Sequence, residues 1–499
     1  MAGRKLFFFA VAISKFLYGN ERQRLSQDAV FLCLSSSLAR RKLHMSDAPI
    51  LTTLEELYKF GPGPSSSHTM GPMLAGYNFY QLMANQAEEV LQKAAKLDVI
   101  LLGSLSATGK GHGTDRAVLA GVLGKQPENC DPDFLDELAE NRQKKYELNL
   151  GPFHTLLAVD DIIYGATVGN FYHPNTMQIK LYDSNGQILL EREYYSVGGG
   201  FIEWKGHKLE EKPLPPYPYT TFKELKSYVN EERSLFDILL ANEMTLTGKS
   251  EREVMEFVAK VVQVMQRSAM SGMHKTGKLP GPLGLQSKAR RLLDKFKSRL
   301  EFSAEMAITA VAAVAIAVSE ENARGHVICT APTAGSAGVM AGAVQVLLNR
   351  NAHDLRRVCE SLIVAAAIGF LCKRNATISG AEGGCQAEVG VASAMTAALL
   401  VNYRGGKAEI IENAAESALE QHLGLTCDPV GGYVQIPCIE RNGFGIIKAW
   451  TASSIALDEA ASSHMVDLDS CIEAMNLTAK EMSSKYKETA EGGLAKVLC

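Results

Sequence analysis

Residues 383–390, Gly-Gly-Cys-Gln-Ala-Glu-Val-Gly, are the first of three cysteine-bearing turns in the last quarter of the chain. The others are residues 427–432, Cys-Asp-Pro-Val-Gly-Gly, and residues 435–442, Gln-Ile-Pro-Cys-Ile-Glu-Arg-Asn. Glycine and proline beside a cysteine let backbone and thiolate crowd around one small object. Cys385, Cys427 and Cys438 can therefore converge on an iron–sulfur cluster, whose irons are held by cysteine thiolates.

One other interpretation of these cysteines stays open at this point. Free cysteines are commonly buried as small apolar residues, which needs no metal. The ten cysteines among 499 residues are scattered, which favours reduced thiols over a disulfide scaffold. No Cys-x-x-Cys pair occurs, which argues against an ordinary zinc knuckle. Cys499, the last residue of the sequence, is a fourth candidate ligand.

The composition is typical of a soluble protein with two or three domains. It is 46% hydrophobic and 21% charged with a net charge of −4, so no basic excess indicates nucleic acid. The most apolar internal run, residues 306–318, is too short to span a bilayer and predicts a buried helix. We therefore expect neither a nucleic-acid partner nor a membrane association.

The first 44 residues differ from the rest of the chain. They contain eight lysines or arginines but only two acids, Glu21 and Asp28. This pattern is typical of a mitochondrial presequence and predicts a location in the mitochondrial matrix. The alternative is that Met45 is the true start and the protein is cytoplasmic. In either case residues 1–44 are excluded from the fold.

Histidines mark two loops of the N-terminal half. Residues 61–72, Gly-Pro-Gly-Pro-Ser-Ser-Ser-His-Thr-Met-Gly-Pro, carry His68 just before a helix predicted from Pro72 to Lys96. Hydroxyl groups there can cap the helix, and its free N–H groups can hold a carboxylate. A buried strand at residues 97–103 leads into a glycine-rich loop that presents His112, and this loop lacks the Walker A pattern.

The pattern of elements divides the chain in two. Alternating residues on both sides of Ser184-Asn185-Gly186 predict a β-hairpin, so residues 48–205 are expected to form an α+β domain with a mixed sheet and helices. A proline-rich linker spans residues 206–221. Residues 222–499 have helical periodicity and predict an all-α domain that carries the cysteine turns.

Taken together, the motifs resemble the iron–sulfur L-serine dehydratases, or L-serine ammonia-lyases, in the form that fuses a β domain to an α domain. The matching stretches span residues 50–499 and are residues 65–72, 109–115, 195–201, 331–338, 375–390, 427–442 and 485–495. The departures are minor: Ala-Glu at residues 381–382 and the long N-terminal extension.

The resemblance implies an enzyme that makes pyruvate and ammonia from L-serine, with a [4Fe–4S] cluster and no pyridoxal phosphate. It implies that Cys385, Cys427 and Cys438 hold three irons, and we expect Cys499 to cover the fourth at rest. That role would place the C-terminal tail near His68 and His112, which are the candidates for proton transfer or carboxylate binding. The candidate substrate-binding residues are Ser66, Ser67, Thr69 and Asn375. A homodimer is also expected.

The sequence leaves two other functions open, a pyridoxal-phosphate dehydratase and a zinc-containing regulator. A pyridoxal-phosphate dehydratase needs a lysine that forms the Schiff base and a glycine-rich loop that binds the phosphate. Residues 198–200, Gly-Gly-Gly, match such a loop only weakly. A metabolite-binding regulator with a structural zinc would use the same cysteines without catalysis. Metal and sulfide analysis separates both from the iron–sulfur enzyme.

Overall fold

The computed structural model describes residues 48–197, 199–207, 211–298, 303–351 and 354–497. The presequence proposed for residues 1–44 lies outside the described residues, as does Cys499. Residues from 48 onward form one compact unit. Within the described ranges, no helix is both long and apolar enough to cross a membrane.

The N-terminal region contains a five-stranded mixed sheet with helices packed against it. The strands of the whole N-terminal region, five of which form this sheet, are β1 (Phe60–Pro62), β2 (Ala94–Gly103), β3 (Tyr146–Leu150), β4 (Phe153–Leu157), β5 (Ile163–Tyr164), β6 (Asn175–Asp183), β7 (Ile188–Ser196) and β8 (Ile202–Trp204). Its helices are α1 (Leu54–Leu57), α2 (Gly71–Ala84), α3 (Glu88–Lys93), α4 (Ser104–Ala107), α5 (Gly109–His112), α6 (Thr114–Val122) and α7 (Pro132–Glu140). The strand order is β5-β2-β6-β7-β8, in which β2 and β5 are parallel and the other pairs are antiparallel.

The hairpin prediction is confirmed, because β6 and β7 pair antiparallel with Thr176 opposite Tyr195. Gly186 in the connecting turn has a φ of 79°, a conformation that favours glycine. The continuous helix predicted from Pro72 to Lys96 is wrong. The chain leaves α2 at Ala84, and the segment that begins at Ala94 pairs with β6. Sheet pairing overrides helical propensity there.

The C-terminal region is mostly helical. Its helices are α8 (Phe222–Ser227), α9 (Leu235–Thr247), α10 (Glu251–His274), α11 (Ala289–Lys297), α12 (Ala304–Ala323), α13 (Ala337–Arg350), α14 (Leu355–Asn375), α15 (Gly380–Gly383), α16 (Val391–Tyr403), α17 (Ala408–Glu420), α18 (Cys438–Asp458), α19 (Leu468–Glu481) and α20 (Gly493–Val497). Helix α16 is apolar on nearly all sides, and its residues 391–401 are all buried, so it forms the centre of the helical core. The buried helix predicted at residues 306–318 is α12, which is fully enclosed only toward its C-terminal end.

The two regions are joined by hydrogen bonds near the cysteine turns. A three-residue strand, β9 (Val327–Cys329), pairs antiparallel with β1 of the N-terminal region. The Asn322 side-chain amide also donates to the Pro64 carbonyl at 2.8 Å. The predicted fold class, a mixed-sheet domain joined to a helical one, is confirmed, with β9 as a short strand inside the helical part. These contacts hold the loop that carries His68 against the helical region.

Candidate active site

Hydrogen bonds bring the three cysteine turns together around Cys427. The Gln386 N–H donates to the Leu425 carbonyl at 3.1 Å, and the Gly424 N–H donates to the Gln386 side-chain oxygen at 2.9 Å. From the third turn, Arg441 donates through Nη1 to the Thr426 carbonyl at 2.6 Å. These hydrogen bonds hold the three cysteine turns in fixed positions relative to one another, although the turns are separated in the sequence.

The three thiols share one small cavity. Cys385, Cys427 and Cys438 are all buried and unpaired, and all line this cavity. The Cys385 and Cys427 sulfurs and a carboxylate oxygen of Glu388 lie within 4.8 Å of one another. Cys438 is the first residue of α18, where the helix dipole favours negative charge. Thiolate and carboxylate groups converging in this way are suited to a soft, positively charged metal centre.

Arg441 and Asp428 control the charge around these thiols. A hydrogen bond with Cys427 and the positive charge of Arg441 lower the pKa of Cys385 to about 7, although burial opposes the shift. Arg441 is oriented by Asp428, whose Oδ1 lies 3.0 Å from Nη2. Asp428 also accepts the Leu494 N–H at 2.8 Å through its other oxygen, which ties the C-terminal tail to the cysteine turn. One of the three thiols is therefore set up to ionise near neutral pH.

His68 lies in a π-helical turn, Ser66–Met70, that leads directly into α2. Both ring nitrogens have hydroxyl partners: Nδ1 is 2.8 Å from Ser67 Oγ, and Nε2 is 2.9 Å from Ser104 Oγ. The ring is fully buried, and burial followed by the neighbouring His112 lowers its pKa well below the usual value. His68 is thus held as a neutral, fixed ring.

His112 lies at the end of α5 with its ring centroid 4.6 Å from that of His68. Its Nδ1 is 3.0 Å from the Thr108 carbonyl and must donate to it, so the neutral ring carries its lone pair on Nε2. That Nε2 atom is buried and has no hydrogen-bond partner within the described chain. Burial lowers the pKa of His112 to about 4, which keeps the ring neutral at physiological pH.

The C-terminal tail brings a carboxylate to the two histidines. The Cys427 N–H donates to the Tyr486 carbonyl at 2.7 Å, and the Glu488 N–H donates to the Cys427 carbonyl at 2.8 Å. This pairing places Glu488 Oε1 3.8 Å from His68 Nδ1 and 3.7 Å from His112 Nε2. Glu488 is buried and lines the cavity of the cysteines, and burial together with Cys385 raises its pKa to about 8. Glu488 thereby connects the cysteine turns to the histidines.

The remaining candidates from the sequence divide into two groups. Ser66, Ser67 and Thr69 are buried in the turn that holds His68, and the Thr69 hydroxyl donates to the His112 carbonyl at 2.9 Å. Asn375 lies at the end of α14, where its side chain donates to the Thr220 carbonyl and accepts from Arg374, both at 2.8 Å. Like Ser66, Ser67 and Thr69, it is not among the residues that line the cavity of the cysteines. The structure brings the histidine turn and the cysteines together, while Asn375 is engaged in other contacts.

Sequence reasoning missed several groups of the site. Ser65 caps the His68 turn by accepting the His68 N–H at 3.1 Å, and it lines the cavity. Glu388 and Glu488 also line it. Glu488 falls inside a stretch that carried the family resemblance, residues 485–495, which was the available signal. Nothing in its spacing predicts that it faces two histidines more than 370 positions earlier in the chain.

Family models match both halves of the chain. The model for the serine dehydratase alpha chain matches residues 230–495, and the model for the serine dehydratase beta chain matches residues 53–207. An L-serine dehydratase of Streptomyces coelicolor is 41% identical over 88% of this chain and 97% of its own length. L-serine dehydratase 1 of Escherichia coli is 40% identical over 90% of this chain and 100% of its own length. The chain belongs to the L-serine dehydratase family. The predicted membership and the prediction of an enzyme are both confirmed.

The predicted mitochondrial location is wrong. The family relatives named above are bacterial, as is a third from Haemophilus influenzae that is 38% identical over 89% of this chain. Bacteria have no mitochondria, so the family match carries no signal for import. A basic, acid-poor composition alone was insufficient evidence for a presequence.

Proposed function

We propose that this chain catalyses the deaminating dehydration of L-serine to pyruvate and ammonia, and so serves amino-acid catabolism and gluconeogenesis. The observation that carries this proposal is the joining of three buried cysteines to two buried histidines through Glu488. Family membership supplies the substrate, because the relatives are named for L-serine. The division into domains at residues 48–205 and 222–499, with a linker between them, is part of the same proposal.

The donor set fits an iron–sulfur cluster better than it fits a hard metal ion. Three thiols line one cavity, and the paired sulfurs of Cys385 and Cys427 lie within 4.8 Å of each other. Cys385, Cys427 and Cys438 would each hold one iron of a [4Fe–4S] cluster, and Cys499 would hold the fourth at rest. When bound, the cluster supplies a Lewis acid for the hydroxyl that leaves the substrate.

His112 is the stronger of the two candidates for the base that removes the α-proton. Its Nε2 is unprotonated and unpartnered among the described residues, whereas both nitrogens of His68 are already bonded to hydroxyls. A base needs a free lone pair within reach of the proton that it abstracts. His68 then serves to fix the turn that holds Ser66, Ser67 and Thr69, which we assign to the substrate carboxylate.

The test is anaerobic reconstitution of the full chain with iron and sulfide, followed by an assay of L-serine turnover. Cys385→Ser, Cys427→Ser and Cys438→Ser should each abolish cluster assembly and activity, because each removes a thiolate. Cys471→Ser is the matched control, since Cys471 is equally buried but lies on α19 and does not line the cavity. Zinc in place of iron and sulfide would favour the structural-zinc regulator, and an imine absorbance would favour pyridoxal phosphate.

The proposal has three further parts, each with its own test: Asn375 binds the substrate, the protein has no nucleic-acid partner, and the chain forms a homodimer. Asn375→Ala should raise the KM for L-serine if its amide turns to the substrate. Electrophoretic mobility with mixed DNA should be unchanged by the protein. Light scattering should give twice the mass of one chain.

A further inference from the structure

Glu488 is a buried carboxylate whose contacts indicate a missing positive charge. Its side chain is buried, and within the described chain its ion-pair contacts are to His68 and His112 alone. Both rings are kept neutral by burial, so neither supplies a full positive charge. Burying an ionised carboxylate is strongly destabilising unless a cation or several donors accompany it, so Glu488 can ionise only when such a partner is present.

The nearer of the two histidine nitrogens that face Glu488, His112 Nε2, cannot act as a donor. His112 gives its Nδ1 proton to the Thr108 carbonyl, so the neutral ring presents a lone pair at Nε2, 3.7 Å from Glu488 Oε1. The His112 ring nitrogen therefore offers no proton to Glu488, and no lysine or arginine of the described chain pairs with this carboxyl group. A group with several N–H donors and a positive charge satisfies the carboxylate.

The backbone reinforces this interpretation. Glu488 has a φ of 59°, a left-handed conformation that is uncommon for residues other than glycine, asparagine and aspartate. The strain is held by the pairing of residues 486–488 with Cys427. Strained residues held in this way cluster at functional sites.

We propose that Glu488 binds the α-ammonium group of the substrate amino acid and thereby selects amino acids over hydroxy acids that lack the amine. This inference rests on the proposed function, because it assumes that the substrate enters the cavity of the cysteines. The α-carbon of an amino acid bears both the ammonium group and the proton that is removed. The ammonium site and the base should therefore be neighbours, as Glu488 and His112 are.

Glu388, the other carboxylate of the cavity, is a weaker candidate for this role. Its Oε2 lies 3.9 Å from the Cys427 sulfur, and it groups with Cys385 and Cys427 rather than with the histidines. It is therefore placed on the metal side of the cavity. Glu488 is placed on the side of the base.

The experiment compares the binding of two small acids by ligand-observed NMR with the reconstituted full chain, which needs no turnover. L-Alanine keeps the ammonium group, and propanoate lacks it. Glu488→Gln should weaken L-alanine binding at least about tenfold and leave propanoate within about twofold, because a charge-assisted hydrogen bond is lost. Glutamine has nearly the same size as glutamate, and it meets a similar cost in adopting the φ of 59° at this position. Glu491→Gln, an exposed change in the same tail, is the control and should alter neither ligand.

Steady-state kinetics adds a second readout for L-serine, in which Glu488→Gln should raise KM by a larger factor than it lowers kcat. An equal loss for L-alanine and propanoate, or unchanged L-alanine binding, would overturn the inference. If Glu488→Gln does not fold, Glu488→Asp withdraws the carboxylate by one methylene and should reduce the preference for L-alanine several-fold. An unchanged preference in Glu488→Asp would also overturn it.

The two proposals fail in different ways. If wild-type protein discriminates L-alanine from propanoate through Glu488 but holds no iron, the inference stands and the cluster proposal fails. If iron-loaded protein turns over L-serine and Glu488→Gln leaves the discrimination unchanged, only the inference fails.

Discussion

Gly493→Ala should release the C-terminal tail from the cysteine turn. Gly493 opens α20 with a φ of 58°, which favours glycine. A Cβ built there would lie 2.2 Å from Asp428 Oδ2 and 2.9 Å from Asp428 Cβ. Asp428 cannot rotate away freely, because it accepts the Leu494 N–H at 2.8 Å and pairs with Arg441 at 3.0 Å.

The magnitude follows from two contributions. A left-handed alanine costs roughly 1–2 kcal/mol. Displacing Asp428 removes a hydrogen bond between a charged group and the backbone, which is worth about 1.5–3 kcal/mol. The sum, roughly 2.5–5 kcal/mol, acts on a local equilibrium and should raise the population of the released tail by about 60-fold or more, at 1.4 kcal/mol per factor of ten.

Hydrogen exchange measured by mass spectrometry on the peptide that covers residues 484–497 reports this opening. Gly284→Ala is the matched control, because Gly284 has a φ of 63° but no atom within 4 Å of its added Cβ. The control should show the conformational cost alone and leave exchange in the tail unchanged. Equal exchange of the tail in wild type and Gly493→Ala would refute the argument that Asp428 anchors it.

Three further predictions concern pH, the base and the last residue. Burial raises the pKa of Glu243, which accepts the Leu54 N–H, from 4.5 to about 7. The folded protein therefore binds the carboxyl proton of Glu243 more tightly than the unfolded chain does, so about 3 kcal/mol of folding stability that is present below pH 4.5 is lost by pH 7. Urea unfolding of Glu243→Gln should not show this decline of stability with pH. If His112 is the base, its pKa of about 4 places its own limb of kcat/KM far below pH 6.5, and an acid limb between pH 6 and 7 that persists in Glu488→Gln would exclude it. Removal of Cys499 should change the cluster spectrum without L-serine but much less with it, and identical spectra in both states would argue for another fourth ligand.

Much of the architecture was predictable from local patterns. The hairpin followed from Asn185-Gly186 between alternating runs, since those residues adopt the turn that joins β6 and β7. The buried helix at residues 306–318, within α12, and the helical character of residues 222–499 followed from composition and periodicity. The segment at residues 94–96 was mispredicted because its pairing partners in β6 lie almost 90 residues further along the chain. Long-range pairing leaves no trace in a local window.

The site was predictable in its residue types but not in its connections. Cys385, Cys427, Cys438 and both histidines stood out through glycine- and proline-bearing turns and through the family resemblance. The π-helical turns that carry His68 and follow Cys385 have no sequence signal, yet such turns recur at functional sites. The free Nε2 of His112 also depends on a single hydrogen bond to a backbone carbonyl, which no pattern of residue types specifies.

The short pairing between Cys427 and residues 486–488 explains how one site is assembled from both regions. The same backbone contacts that hold the Cys427 turn also fix the left-handed Glu488, whose carboxylate meets the histidines of the N-terminal region. A change that loosens this pairing should therefore disturb the cysteine turn and the surroundings of His112 together. Because backbone atoms carry the pairing, side-chain substitutions within residues 486–488 should be tolerated except at Glu488. The strain at Glu488 is consistent with this, since it persists only where surrounding contacts hold it.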